Sequence, residues 1–277
     1  MQLLVSSTLV CAAIGLGLLA FGRLVFPRLL AWRGIHMRRK TMFGVALVFD
    51  SADAEGEPVR LLNVDGKFQS ICYVSDELWA ELTCAYHRHF ADALFEAGWP
   101  DDALVLGGGG FSFPKYLVEH DDVVRVDVCE IDPAIVELAR EHFLLDRLEE
   151  RAGGRMRLMV RDGWEWLRRC DRRYGIIVND AFAGKRPLGP MGTPEGARVV
   201  HEHLGKGGLY LANVISPVEG RGAAPLMEAV ETYVAEFGHV YVFPERPEHP
   251  RRPGNNAFVA SERPLELPGA LRWDEGS

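Results

Sequence analysis

A run of glycines and a more distant acidic residue together have the composition of a nucleoside site. Gly107, Gly108 and Gly109 directly follow the apolar segment 103–106, and Glu130 ends the next apolar segment, 21 residues after Gly109. Glycines let a ligand approach the backbone, and a helix that starts after them offers free N–H groups. An acidic side chain at the end of the second strand of such a unit accepts hydrogen bonds from ribose hydroxyls. The spacing therefore predicts a ribose site, with a tight structural turn beside a solvated acidic residue as the alternative.

Two further acidic residues end apolar segments later in the chain. Asp162 and Gly163 follow the segment 155–160, and Asp180 ends the segment 174–180. The Asp162 carboxylate can accept a hydrogen bond from an adenine amino group. This favours an S-adenosyl ligand, because a dinucleotide needs a pyrophosphate cradle more than a third acidic strand end. Asp180 can orient or deprotonate an amine nucleophile within hydrogen-bond reach. The structural alternatives are a helix cap for Asp162 and a cap or turn for Asp180.

These residues can meet only if the segments that carry them are strands of one sheet. Apolar segments alternate with helical patterns along the body of the chain, which predicts a doubly wound α/β sheet with parallel strands. Ligands bind such sheets beyond the carboxyl ends of the strands, where all of these residues fall. The predicted strands are 103–106, 123–130, 155–160, 174–180 and 207–215, followed by a closing pair at 239–243 and 256–261.

The segments before this alternation predict a smaller, separate sheet. Short β-rich stretches occupy residues 41–75, with Asp65 and Gly66 as a hairpin turn. Apolar residues at helical spacing then predict a helix from about Asp76 to Ala97. The predicted organisation is an anchor at 1–24, a basic linker at 25–40, the small sheet at 41–75, a Rossmann-like domain at 76–265 and a tail at 266–277.

The amino-terminal segment has the composition of a membrane anchor. Residues 3–22 carry no charge, and the segment 23–40 carries six basic side chains and no acidic one. A helix over the uncharged run spans about 30 Å, the thickness of membrane hydrocarbon, and flanking basic residues stay in the cytoplasm. We therefore predict a single-pass protein of the cell membrane with its globular domain in the cytoplasm. A signal peptide and a buried helix are the alternatives.

Composition excludes several other classes of protein. The chain has 277 residues, 48% of them hydrophobic, and its net charge of −8 argues against a nucleic-acid partner. Five cysteines without a CxxC pair suit a reducing compartment. His201 and His203 are two residues apart and do not share a helix face, so no metal site is predicted. The sequence does not determine the oligomeric state, and a homodimer is compatible with it.

Four motifs, in order along the chain, resemble the polyamine aminopropyltransferases, the spermidine synthase family. They read ALVLGGGG, VDVCEID, RDGWEWL and YGIIVNDAF, and the similarity extends from about Leu61 to Ile215. The resemblance implies a Rossmann-like fold of the S-adenosylmethionine-dependent methyltransferase type, preceded by a small antiparallel sheet. It also implies that S-adenosylmethionine or its decarboxylated form is the co-substrate.

The resemblance further implies a role for each strand end. Asp180 corresponds to the first aspartate of the family's DSSDP-like motif, the proposed base on the acceptor amine, and it is the predicted catalytic residue. Glu130 corresponds to the ribose-binding residue of the family's EID motif, and Asp162 to its adenine-binding aspartate. The residues expected to bind the nucleoside are Gln69, Gly107, Gly108, Gly109, Glu130, Ile131, Asp162 and Gly163.

The chain departs from the family pattern at two acidic positions. Gly110 stands where the family's loop has an aspartate that holds the donor's amino group, and Ala183 stands where DSSDP has its second aspartate. A cationic diamine such as putrescine is poorly held without these carboxylates. We therefore expect a membrane-anchored transferase that moves an aminopropyl or related group to a small-molecule amine. A small-molecule methyltransferase and a non-catalytic nucleoside-binding domain are the alternatives.

Overall fold

The computed structural model describes residues 34–181 and 187–276, and the first strands of this part form a small antiparallel sheet. These strands are β1 (Ile35–Thr41), β2 (Gly44–Ala52), β3 (Pro58–Val64) and β4 (Lys67–Tyr73), paired in chain order. The predicted small sheet is therefore present, although it begins at Ile35 and includes the end of the predicted linker.

The turn between β1 and β2 lies inside a stretch that the sequence predicted as one strand. The Thr41 hydroxyl donates to the Gly44 carbonyl at 2.9 Å and accepts from the Phe43 N–H at 3.1 Å. These two bonds close a tight turn at Met42 and Phe43, whose side chains are 62% and 57% exposed. Apolar residues continue through the turn into β2, so the pattern alone did not reveal it.

The second sheet is the larger of the two and contains the predicted parallel strands. Its strands are β5 (Asp102–Leu106), β6 (Arg125–Glu130), β7 (Met156–Val160), β8 (Tyr174–Asn179), β9 (Leu204–Ser216), β10 (His239–Phe243), β11 (Gly254–Ser261) and β12 (Leu271–Asp274). The order is β12-β10-β11-β9-β8-β5-β6-β7. Strands β5 to β9 pair in parallel, and β11, β10 and β12 continue the sheet antiparallel. The predicted closing pair is β10 and β11, whereas β12 lies within the predicted tail.

Helices cover both faces of this sheet. They are α1 (Ala85–Ala97), α2 (Ser112–His120), α3 (Pro133–His142), α4 (Leu145–Ala152), α5 (Gly163–Leu167), α6 (Pro194–Glu202) and α7 (Ala224–Phe237). Apolar residues of α1 to α4 pack on one face, where the small sheet joins the same core. Apolar residues of α5, α6 and α7 pack on the other face. The doubly wound α/β prediction is thus confirmed.

Helix α1 begins nine residues later than the sequence predicted, at Ala85 instead of Asp76. Trp79 and Leu82 in the preceding turns are 5% and 7% exposed and belong to the core. The Thr83 hydroxyl donates to the Ile71 carbonyl of β4 at 2.9 Å and fastens these turns to the small sheet. The apolar residues at helical spacing in this stretch are therefore buried, although the backbone that carries them forms turns and not a helix.

The path of the chain through the large sheet determines where a ligand can bind. Strand β5 is central, and its neighbours β6 and β8 lie on opposite sides of it. The connections after β5 and after β8 therefore diverge at the carboxyl end of β5. Such a point leaves a crevice beyond the strand ends, which is the usual ligand site of doubly wound sheets.

The predicted location in the cell membrane is contradicted. Between residues 34 and 276, apart from 182–186, no helix is long and apolar enough to cross a membrane. The run 3–22, on which the prediction depended, lies outside the described residues, and so does most of the basic segment 23–40. We therefore do not retain the membrane anchor, the membrane partner or the membrane localisation.

Candidate active site

A cleft of about 600 Å³ lies at the carboxyl ends of the central parallel strands. Cavities of this size are typical of small-molecule sites. Residues from β4, the loop after β5, β6, the turn after β7 and the end of β8 line it. The structure brings together in this cleft every residue predicted for the site: Gln69, Gly107, Gly108, Gly109, Glu130, Ile131, Asp162, Gly163 and Asp180.

The Glu130 carboxylate holds the glycine loop in place. Its Oε2 atom accepts hydrogen bonds from the N–H groups of Gly108 at 2.9 Å and Gly109 at 3.2 Å. Its Oε1 atom accepts one from the Asp132 N–H at 3.0 Å. A carboxylate offers about four acceptor positions. Three are therefore occupied here, and about one remains for a group bound in the cleft.

Gly107 is a glycine because the backbone of β8 passes close to it. Its φ of 95° lies in the left-handed region, and a Cβ there would lie 2.7 Å from the Asp180 carbonyl oxygen. The Asp180 N–H in turn donates to the Leu106 carbonyl at 2.9 Å. The glycine loop and Asp180 are therefore fixed against each other through the backbone.

Asp132 connects the tip of the small sheet to the same region. Its Oδ1 atom accepts from the Ala134 N–H at 2.9 Å and caps α3, while its Oδ2 atom accepts from the Met42 N–H at 2.6 Å. The side chain is almost completely buried. Phe43, next to Met42, lines the cleft although it is largely exposed. The β1–β2 turn thus forms part of the cleft mouth.

Asp162 is an exposed side chain whose structural role is visible. Its Oδ1 atom accepts from the Glu165 N–H at 3.0 Å, so Asp162 is the N-cap of α5. A Cβ at Gly163 would lie 2.8 Å from Leu106 Cδ2, which explains the glycine after the cap. The cap uses one carboxylate oxygen. An interaction with adenine therefore stays a prediction that the cap does not preclude.

Asp180 receives hydrogen bonds from three side chains. Its Oδ2 atom accepts from the Tyr86 hydroxyl at 3.1 Å and lies 3.0 Å from His87 Nε2, and its Oδ1 atom accepts from Asn213 Nδ2 at 3.3 Å. Tyr86 and His87 lie in the first turn of α1, and Asn213 lies on β9. The Asp180 side chain keeps 17% exposure and lines the cleft, as His87 does.

Charge stabilises this cluster at neutral pH. Burial lowers the pKa of His87, but the hydrogen bond and negative charge of Asp180, together with the Cys84 thiol, outweigh it and raise that pKa to about 9. Burial and the Asp180 carboxylate raise the pKa of Tyr86 well above 10, so its hydroxyl remains a donor. The raised pKa favours the protonated form of His87 beside Asp180 at neutral pH.

Three members of this cluster, Tyr86, His87 and Asn213, were not predicted as site residues. A tyrosine and a histidine side by side in a predicted core helix are the signal that could have indicated Tyr86 and His87. The sequence gives no such signal for Asn213. No group of three or more potential metal ligands occurs among the described residues.

The fold and the cleft define a class: a Rossmann-like α/β protein of the methyltransferase type with a small amino-terminal sheet. Residues 83–212 match the family model described as the spermine/spermidine synthase domain. This match shows that just under half of the chain is similar to a domain of the spermidine synthase family, a family of transferase enzymes.

Curated polyamine aminopropyltransferases are similar to part of the chain. A polyamine aminopropyltransferase of Thermococcus kodakarensis is 30% identical over 149 residues, covering 52% of this chain and 51% of its own length. One from Oceanobacillus iheyensis is 28% identical over 190 residues, covering 68% of this chain and 35% of its own length. The chain thus spans about half or less of the length of the curated relatives described here.

Solved structures show the same fold. A probable spermidine synthase from Corynebacterium glutamicum has a TM-score of 0.67 at 20% identity and covers 86% of this chain and 90% of its own. A spermidine synthase in complex with the transition-state analogue AdoDATO has a TM-score of 0.62 at 19% identity, covering 83% and 74%. At these identities the likeness supports the fold alone.

Proposed function

We propose that this chain binds S-adenosylmethionine or decarboxylated S-adenosylmethionine in the cleft and transfers an aminopropyl or related group to an amine. One observation carries the proposal. The glycine loop, Glu130, Asp162 and Asp180 come from four separate strand ends and line one cleft, in a chain whose residues 83–212 match the spermine/spermidine synthase domain.

The proposal divides the cleft into two halves. Gly107, Gly108, Gly109, Glu130, Ile131, Asp162, Gly163 and Gln69 would hold the nucleoside. Glu130 fits this role because about one acceptor position on its carboxylate remains free for a ribose hydroxyl. Asp180 would orient the amine at the reacting end and accept its proton.

The reaction needs little from the protein beyond positioning the amine and the sulfonium donor. The amine lone pair attacks a carbon bonded to the sulfonium sulfur, the C–S electron pair returns to sulfur, and a neutral thioether leaves. The amine then loses a proton to Asp180 or to solvent. Because the sulfonium is itself the leaving group, a site that orients the nucleophile within reach can supply most of the acceleration.

A small-molecule methyltransferase is the second candidate, and the packing of Gly110 favours it. A Cβ at this position would lie 2.6 Å from Ser70 Oγ and 2.9 Å from Phe143 Cδ1. The loop therefore has no room at Gly110 for a carboxylate that would hold the ammonium of decarboxylated S-adenosylmethionine, whereas the ammonium of S-adenosylmethionine is accompanied by that molecule's own carboxylate. Methyl transfer uses the same cleft and the same nucleoside contacts, and it leaves a different thioether.

Ligand binding and product identity test the proposal together. We expect S-adenosylmethionine, its decarboxylated form or the corresponding thioethers to stabilise the full chain by about 2.7 kcal/mol at a hundredfold excess over Kd, measured by thermal unfolding. Turnover with a panel of amines would release 5′-methylthioadenosine in aminopropyl transfer and S-adenosylhomocysteine in methyl transfer. Binding without turnover would support the non-catalytic alternative, and no binding by any nucleoside would refute the proposal.

Replacement of Glu130 tests the nucleoside half. Glu130→Gln keeps the shape but turns one acceptor oxygen into a donor, so we expect affinity for 5′-methylthioadenosine to fall by about 1–3 kcal/mol in calorimetry. Because Glu130 also holds the glycine loop, the unfolding of the variant and of the unaltered chain is measured without ligand in parallel. This separates a loss of stability from a loss of binding. Glu150→Gln, the same change at an exposed position of α4, is the control and should bind normally. Unchanged affinity of Glu130→Gln would mean that Glu130 holds the glycine loop and does not bind the nucleoside.

A further inference from the structure

We propose that the acceptor taken by this cleft carries at most one positive charge, so that it is a monoamine or an uncharged nucleophile and not a polyamine. This inference rests on the proposed function and narrows its substrate class. It departs from the curated relatives, whose name specifies polyamines. The carboxylates of the cleft that can meet a cation determine how many positive charges an acceptor can carry.

Among the described residues that line the cleft, four are acidic: Asp65, Glu130, Asp162 and Asp180. Glu130 is bound by three backbone N–H groups and Asp162 caps α5, and the acceptor positions that remain on both would, under the proposed function, face the ribose and the adenine. Asp65 is exposed in the β3–β4 turn, two residues from the exposed Lys67, which also lines the cleft. Asp180 is therefore the carboxylate that the described cleft offers to a reacting amine.

Asp180 already faces a cation. His87 Nε2 lies 3.0 Å from its Oδ2 atom, and the His87 side chain is only 5% exposed, so the two charges are held together away from bulk water. Tyr86 and Asn213 add neutral hydrogen bonds to the same carboxylate. When His87 is protonated, which its raised pKa favours at neutral pH, the pair of Asp180 and His87 has no net charge. A reacting ammonium would then share the single Asp180 carboxylate with His87.

The glycine loop cannot supply a second carboxylate. Ser70 Oγ and Phe143 fill the space beside Gly110, where a Cβ would already be within 3 Å of both. Past Asp180, the described residues that line the cleft are apolar: Ala181, Leu188, Pro190 and Met191.

A polyamine brings a second ammonium group into this environment. The sulfonium of the donor adds one positive charge at the same end of the cleft, and the decarboxylated donor adds a second through its ammonium group. A further cation would be partly desolvated without a counter-charge and close to a like charge, which is unfavourable on both grounds. A monoamine avoids this, because its single charge can share Asp180 and its nitrogen is neutral when it attacks.

Two amines of equal carbon chain length test the inference. The full chain, loaded with 5′-methylthioadenosine, is titrated with butylamine and with putrescine in a calorimeter at neutral pH. We expect putrescine to bind at least tenfold more weakly than butylamine, or not at all. Equal or tighter binding of putrescine would overturn the inference while leaving the proposed function intact. Failure of the nucleoside itself to bind would instead remove the proposed function.

A matched pair of variants separates charge from shape. Ser70 lies on β4, lines the cleft and contacts the glycine loop, so Ser70→Asp adds a carboxylate there and Ser70→Asn adds the same bulk without charge. We expect Ser70→Asp to bind putrescine about tenfold more tightly than Ser70→Asn does, with little difference for butylamine. Equal putrescine affinities in the two variants would contradict the charge argument. The comparison of amines in the unaltered chain does not depend on either variant folding.

Discussion

Asp180→Asn is expected to lower turnover by roughly 100-fold or more while the affinity for nucleoside stays close to that of the unaltered chain. The amide keeps the size of the side chain but removes its charge and its basicity. Nucleoside binding survives because Glu130 and Asp162 lie at other strand ends. The rate is followed as release of the thioether nucleoside, and the loss should appear in kcat and, because Asp180 also faces the charged amine, in a raised KM for the amine.

Asp171→Asn is the matched control for this variant. Asp171 is exposed on the chain segment that leads to β8 and does not line the cleft, so its replacement should leave turnover unchanged.

A second measurement on Asp180→Asn does not require an acceptor amine. Without the Asp180 charge, the effect of burial dominates, so the pKa of His87 should fall far below 9 in an NMR titration. Near-normal turnover in Asp180→Asn would return Asp180 to the role of a turn residue.

The residues at the reacting end of the cleft were only partly predictable from the sequence. Glu130, Asp162 and Asp180 were predictable because each ends or follows an apolar segment, and parallel strands place such ends at one edge of a sheet. His87 was not, because its partner Asp180 is 93 residues away and nothing in a helical pattern marks a histidine that packs inward. Asn213 sits inside a predicted strand, where period and hydropathy do not show which residue faces a ligand.

The start of α1 was misjudged for a related physical reason. Trp79 and Leu82 have helical spacing relative to Tyr86, yet the small sheet and the core bury them in turns. Local periodicity shows which side chains need burial, but it does not show whether a helix or a series of turns buries them. The later start of the helix matters for the site, because it places Tyr86 and His87 in the first turn, where both reach Asp180.

Folding stability is expected to decline between pH 6.5 and pH 9 because of His87. Its pKa is raised from 6.5 to about 9 in the folded chain, so the folded state holds a proton that the unfolded state releases in this interval. The stabilisation is fully present below pH 6.5 and is lost as the pH rises through 9. A shift of this size corresponds to a contribution on the order of 3 kcal/mol.

Chemical unfolding at pH 6 and at pH 9.5 measures this contribution by comparing the unaltered chain with His87→Gln. The difference in unfolding free energy between the two chains should shrink by about 2–3 kcal/mol from the lower to the higher pH. His201, held between Glu236 and Glu262 on the surface, also has a raised pKa, and His201→Gln serves as the control. Because His201 is more accessible to water, its replacement should alter the pH dependence less. If the difference between the unaltered chain and His87→Gln is the same at both pH values, His87 is not a buried cation, and the charge balance inferred for the reacting end of the cleft fails with it.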